Sequence, residues 1–132
     1  MDRMVGVFAA GRIVNPTMAR SQFIGGMTMG LGMALHEASI MDPQFGDYAN
    51  NDLAQYHLPA HADVPAIEIG WFDEHDTQVN PLGVKGIGEL GVVGTAAAIA
   101  NAVWHATGIR FRALPLTPDR VLQGTAGQSQ ER

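Results

Sequence analysis

The 132-residue sequence contains no cysteine. That absence removes disulfides, thiolate zinc sites, iron–sulfur ligation and cysteine nucleophiles from the chemistry available within the chain. Cationic residues are few as well: 8 Lys and Arg stand against 13 Asp and Glu, for a formal charge of −5. No basic stripe is available to displace counterions from a phosphate backbone, which argues against a nucleic-acid partner. No apolar run reaches the roughly 20 residues that a membrane span requires, so no membrane partner is expected. The opening MDRMVGVFAAGR lacks the length and the cleavage site of a signal peptide. What is present is apolar content of 46%, enough to bury one core in a chain of this length but not to build two domains.

Glycine, by contrast, is abundant, with 16 residues concentrated in two places. Met4 to Ala10 is a short β-compatible run that stops at Gly11. Asn15-Pro16 reads as a helix start, with Asn15 as N-cap and Pro16 in the first helical position. The helix extends over about 16–38, carrying Phe23, Met27, Leu31, Ala34 and Leu35 on one face. It also holds Gly25, Gly26, Gly30 and Gly32, each costing about 1 kcal/mol relative to alanine. Such a helix makes sense if another backbone or a ligand approaches closely, and Gly26 and Gly30 are expected to meet one. Residues 42–51 carry turn chemistry around Phe45-Gly46-Asp47, and Ala66 to Phe72 alternates like a strand. A second helix is expected over about 91–107, ending at Gly108, with a short strand over Phe111–Leu116. The tail 123–132 is polar and expected to be disordered, leaving 1–122 as the folded unit. The predicted class is α+β, two main helices packed on a small mixed or antiparallel sheet.

The segment Gly86-Ile87-Gly88-Glu89-Leu90-Gly91 matches G-x-G-x-x-G before a helix. A dinucleotide-binding reading requires a buried strand before it and an acidic residue about 20 positions on. PLGVK precedes it and Arg110 occupies the later position, so that reading fails. Glu89 sets a carboxylate in an apolar, glycine-rich frame at a helix start. The helix N-terminus favours its charged form, whereas burial among Ile87, Leu90 and Val92 would favour the neutral one. Such a balance suits a general base. A carboxylate capping the free amides of the helix start would show the same pattern, and the sequence leaves both readings open. The five histidines form no convincing metal set: Pro59 interrupts the His57–His61 spacing, and His36-Glu37 lacks the second histidine of H-E-x-x-H. The acidic run Asp73, Glu74 and Asp76 reads as a solvated loop, and Met27, Met29 and Met33 as core filler.

ARSQFIGGMTMGLGMALHE (19–37) and NPLGVKGIGELGVVGTAAAIANAVWHATG (80–108) together resemble the C-terminal part of the molybdenum hydroxylase large subunit. This is the xanthine dehydrogenase and aldehyde oxidoreductase family. Residues 50–69 and 114–122 share the resemblance, which therefore covers nearly the whole chain apart from the tail. It implies part of a molybdopterin-binding domain and, in the complete enzyme, a molybdenum–molybdopterin cofactor of the cytosine dinucleotide form. It further implies hydroxylation of a carbon with water-derived oxygen, a hydride passing to the metal's sulfido ligand, and Fe–S and FAD subunits as partners. Residue by residue, Glu89 inherits the role of base toward the metal-bound hydroxyl. Gly88 inherits a place against the cofactor, and Gln22 a hydrogen bond to the pterin dinucleotide, where an amide offers both donor and acceptor. The first turn of that helix is also suited to help neutralise a phosphate.

The resemblance implies a complete subunit of roughly five times this length, from several domains of ~150 residues. The chain is accordingly expected to be a split subunit, an excised piece or a remnant, binding no cofactor by itself. Two roles follow. In one, it supplies the catalytic base to a molybdenum hydroxylase completed by the remainder of the subunit. In the other, it is a non-catalytic fragment that buries its bare apolar surfaces in a homo-oligomer, most simply a two-fold dimer. A cytoplasmic location is expected, with the periplasm as the alternative.

Overall fold

The computed structural model describes residues 1–128. Strand β1 (Arg3–Phe8) leads into helix α1 (Pro16–Leu35), and a small hairpin of β2 (Met41–Asp42) and β3 (Asp47–Tyr48) follows. After a 3-10 turn at His61–Asp63 come strand β4 (Ala66–Trp71), the single-turn helix α2 (Leu90–Val93), α3 (Thr95–Thr107) and α4 (Pro118–Gln128). The result is a small mixed α/β arrangement with two separate two-stranded sheets.

β1 and β4 pair in parallel, from Arg3 opposite Ala66 to Phe8 opposite Trp71. Parallel neighbours require a crossover, and α1 lies in it. The expected mixed or antiparallel sheet is thus corrected: the main sheet is parallel, and antiparallel pairing is confined to the β2–β3 hairpin. Gly46, with φ +70°, turns that hairpin where the sequence places it.

α1 starts as its sequence indicates. The Asn15 side chain accepts the Met18 amide at 3.0 Å, and Pro16 opens the first turn. Its apolar stripe delivers Ala19, Phe23, Met27, Leu31 and Ala34 to the core. Phe23 and Leu31 are fully buried, each worth roughly 1.5–3 kcal/mol of burial. Phe23 stacks flat on Phe8 of β1 at 4.3 Å between ring centroids, with Ile69 and Trp71 of β4 completing that cluster. Met4 and Ile99 join Met27, Leu31 and Ala34 in the adjoining one.

The second long helix is broken at Gly94 into α2 and α3. Leu90–Thr107 therefore spans 18 residues with a mean hydropathy of 1.2, apolar and long enough by composition to cross a membrane, but as two helices with 17% of the window buried. Gly108, at φ +74°, ends α3 as expected. Residues 111–116 form no strand; the Leu116 amide donates instead to the Ala34 carbonyl at the end of α1, at 2.6 Å. The tail expected to be disordered begins inside a helix. Pro118 and Asp119 suit the first turn of α4, and a β-carbon at Gly124 would fall 2.7 Å from the Phe111 ring. Residues 129–132 of that tail lie outside the described residues.

Candidate functional site

The glycine-rich loop is built by side chains that replace missing secondary structure. Asn80 folds it: its Nδ2 donates to the Val84 carbonyl at 2.7 Å, and its Oδ1 accepts the Leu82 and Val84 amides at 3.1 and 3.3 Å. Gly83 adopts φ +67° in the resulting turn. Its carbonyl accepts the Arg12 amide at 2.8 Å, and Val84 bridges Gly11, itself at φ +66°. The loop is thereby stitched to the β1–α1 junction.

Beyond Lys85 the chain loosens and then locks again. Added β-carbons at Gly86 and Gly88 would meet nothing within 4 Å, so the backbone there faces open space. Glu89 caps α2 with its backbone only, its φ of −108° and ψ of 2° placing no side-chain oxygen on a helix amide. Gly91 then packs directly on α1: a β-carbon there would fall 2.6 Å from the Phe23 carbonyl oxygen, and one at Gly26 would fall 3.0 Å from the Gly91 Cα. Gly30 faces the Thr95 side chain, whose hydroxyl donates to the Gly91 carbonyl at 2.8 Å. The close approach expected at Gly26 is thus backbone on backbone, and at Gly30 it is backbone on side chain.

Gln22 precedes Phe23 on α1, and Glu89 lies two residues before Gly91, so the helix-on-helix contact brings their elements together. Both side chains are exposed, and neither has a hydrogen-bond or ion-pair partner among the described residues. This corrects the expectation of a Glu89 buried among Ile87, Leu90 and Val92. Those three residues are half-buried, while Glu89 is exposed. It also removes the alternative that Glu89 serves as a side-chain cap for α2. Gly88 is exposed beside it.

The acidic run is not a merely solvated loop. Glu74 and Asp76 are half-buried and bind the Lys85 ammonium at 2.8 and 3.2 Å. The hydrogen bond from Lys85, and then those from the Gly11 and Gln78 amides respectively, hold both carboxyls below the ordinary range. Hydrogen bonds to Glu74 and Asp76 hold Lys85 above its ordinary value. Sequence reasoning missed this cluster because its members sit in irregular loops with no periodic spacing to relate them. Among the described residues no group of three or more His, Cys, Asp or Glu is arranged to hold a metal ion.

Comparison with known proteins bears on what such a site serves. Residues 1–65 match the family described as a molybdopterin cofactor-binding domain. The chain is 52% identical over 120 residues to the aldehyde oxidoreductase molybdenum-binding subunit PaoC of Escherichia coli K12, covering 91% of this chain and 16% of that subunit. It is 39% identical over 123 residues to the xanthine dehydrogenase molybdenum-binding subunit of Escherichia coli O157:H7, covering 93% and 16%. Its fold superposes on the solved aldehyde oxidoreductase from Desulfovibrio gigas with a TM-score of 0.82 at 31% identity, over 95% of this chain and 13% of that one. The chain thus spans about a sixth of the length of the curated relatives it matches. In sequence and in fold it is similar to part of molybdenum-binding subunits of an aldehyde oxidoreductase and a xanthine dehydrogenase.

Proposed function

We propose that this chain is the C-terminal portion of a molybdenum hydroxylase large subunit, supplying a catalytic base and part of the cofactor site. The observation that carries the reading is Glu89, an exposed carboxylate with no partner among the described residues, held between open glycine backbone and a locked helix contact. These residues fit a large cofactor on one side. Gly86 and Gly88 leave the backbone bare where a side chain would otherwise stand, and Gln22 offers an uncommitted amide as both donor and acceptor. In the complete enzyme the group is a molybdenum–molybdopterin, of the cytosine dinucleotide form, and when bound it supplies the two-electron redox chemistry of hydroxylation. Glu89 accepts the proton released at its carboxylate oxygen, a role for which a side chain free of cap and ion pair is available at once. Gln22 orients the cofactor's nucleotide portion. Similar subunits named as parts of an aldehyde oxidoreductase and a xanthine dehydrogenase support an aldehyde- or xanthine-type reaction, with Fe–S and FAD subunits completing the electron path.

The contrast between two substitutions tests this, in a subunit assembled from the chain and the remaining upstream portion. Gln22→Ala should lower molybdenum content while sparing turnover per bound metal. Glu89→Gln should do the reverse. A Glu89→Gln variant that loses content and stability together, with no selective loss of turnover, would mark Glu89 as structural.

A second reading concerns the chain by itself, and the bare outer face of the β1–β4 sheet favours it. Val5 and Val7 are 55% and 59% exposed there, although parallel sheets are ordinarily covered on both faces. Without the rest of a subunit, this face is a surface for self-association.

A further inference from the structure

Three segments, one of them 63 residues from its partner, are tied together beside the loop that carries Glu89. Lys85 Nζ donates to Glu74 Oε1 at 2.8 Å and lies 3.2 Å from Asp76 Oδ2. The other Glu74 oxygen, Oε2, accepts the Gly11 amide at 3.0 Å, and Asp76 Oδ1 accepts the Gln78 amide at 3.0 Å. The side chains of Lys85, Glu74 and Asp76 are 29%, 32% and 28% exposed. Both carboxylates therefore use both oxygens, and the cluster is far more specified than an isolated surface pair.

The placement of this clasp matters more than its strength. Gly11 lies just ahead of the Asn15 cap of α1, and Lys85 just ahead of Glu89. The clasp joins the entrance of α1 to the near end of the Glu89 segment, while the Gly91–Gly26 contact joins α1 to its far end. Between the two ties stand Gly86 and Gly88, which leave an unpinned backbone many conformations. A misplacement of about 1 Å at a reacting group can cost ~10²-fold in rate.

We propose that Lys85 is a positioning residue, bridging Glu74 and Asp76 so that the loop presents Glu89 at a fixed place relative to α1 and Gln22. The inference rests on the reading of Glu89 as the proton acceptor. Lys85 touches no reacting atom in this role.

Amide hydrogen exchange in the 132-residue chain tests it, comparing wild type, Lys85→Met and Lys85→Arg. Residues 11–12 and 83–91 report on the clasp, and residues 27–31 of the α1 core serve as the internal control. Lys85→Met should speed exchange at the first two stretches by about tenfold and leave the core unchanged, because the opening is local. Lys85→Arg should restore protection. In the assembled subunit, Lys85→Met should retain molybdenum while turnover per metal falls by about tenfold or more. Unchanged exchange overturns the proposal. So does a loss spread evenly over the core, which would make Lys85 a residue of general stability. If Lys85→Met does not fold, Glu74→Gln must show the local pattern or the proposal falls. Glu89→Gln keeps the two claims apart: full turnover in that variant defeats the reading of Glu89, whereas the exchange pattern alone decides the clasp.

Discussion

Two carboxylates in neighbouring segments illustrate how local bonding separates chemical roles. Glu74 receives a lysine ammonium on one oxygen and a backbone amide on the other, so its charged form is stabilised and its lone pairs are committed. Glu89 has neither partner among the described residues, so its lone pairs are uncommitted, as the proposed role requires. The clasp carries its own pH signature. Glu74 and Asp76 are depressed, so their contribution to stability is complete above the ordinary carboxyl values of 4.5 and 3.8 and is lost as pH falls through the lowered folded values. Lys85 is raised, so its contribution is complete below the ordinary value of 10.5 and is lost as pH rises through the folded one. Urea melts across pH should therefore show a plateau between these limits. Glu74→Gln should flatten the acid limb, and an unchanged acid limb would deny the clasp any part in stability.

At the scale of elements, the glycines of α1 and α2 divide into those that let backbones meet and those that do not. Gly91→Ala would drive a methyl to 2.6 Å from the Phe23 carbonyl oxygen, and overpacking of this kind costs about 1–3 kcal/mol. Gly25→Ala meets nothing within 4 Å and should stabilise the chain by about 0.5–1 kcal/mol through helix propensity alone. Equal effects of the two substitutions on the chemical-denaturation midpoint would refute the packing account. The same glycines show what the sequence made legible. The density of Gly25, Gly26, Gly30 and Gly32 implied close approach, and Gly26 supplies it. The Asn15-Pro16 start and the Gly108 stop were equally readable, because caps are local chemistry. The parallel pairing of β1 with β4 was not readable, since short strands carry no mark of their partner's direction. Nor was the Glu74–Lys85 contact, because it depends on how three loops close on one another. The exposure of Glu89 was not readable from its motif, because Ile87 and Leu90 pack against the core while the residue between them stays exposed.

Taken whole, the chain buries a sound core but leaves large apolar side chains bare, including Val5, Val7, Val93 and Leu122. Purified alone it should self-associate, most simply as a two-fold dimer through the bare face of β1 that carries Val5 and Val7. Light scattering at roughly tens of micromolar should show it, a range where weak dimers form. Val7→Lys should return the monomer, and a wild-type monomer would contradict this account. The same isolated chain should carry no stoichiometric molybdenum by metal analysis, because the contacts proposed for Gln22, Gly88 and Glu89 lie on one side of a large group and would not offset the cost of immobilising it. The central claim is that Glu89 provides the base once the remaining five-sixths of the subunit, roughly, encloses the cofactor. Its most direct test is turnover per bound molybdenum in the assembled subunit carrying Glu89→Gln. The account predicts a fall of at least ~10²-fold at near-normal metal content, the lower bound for losing a general base. Retention of more than about a tenth of the wild-type rate per molybdenum would contradict it.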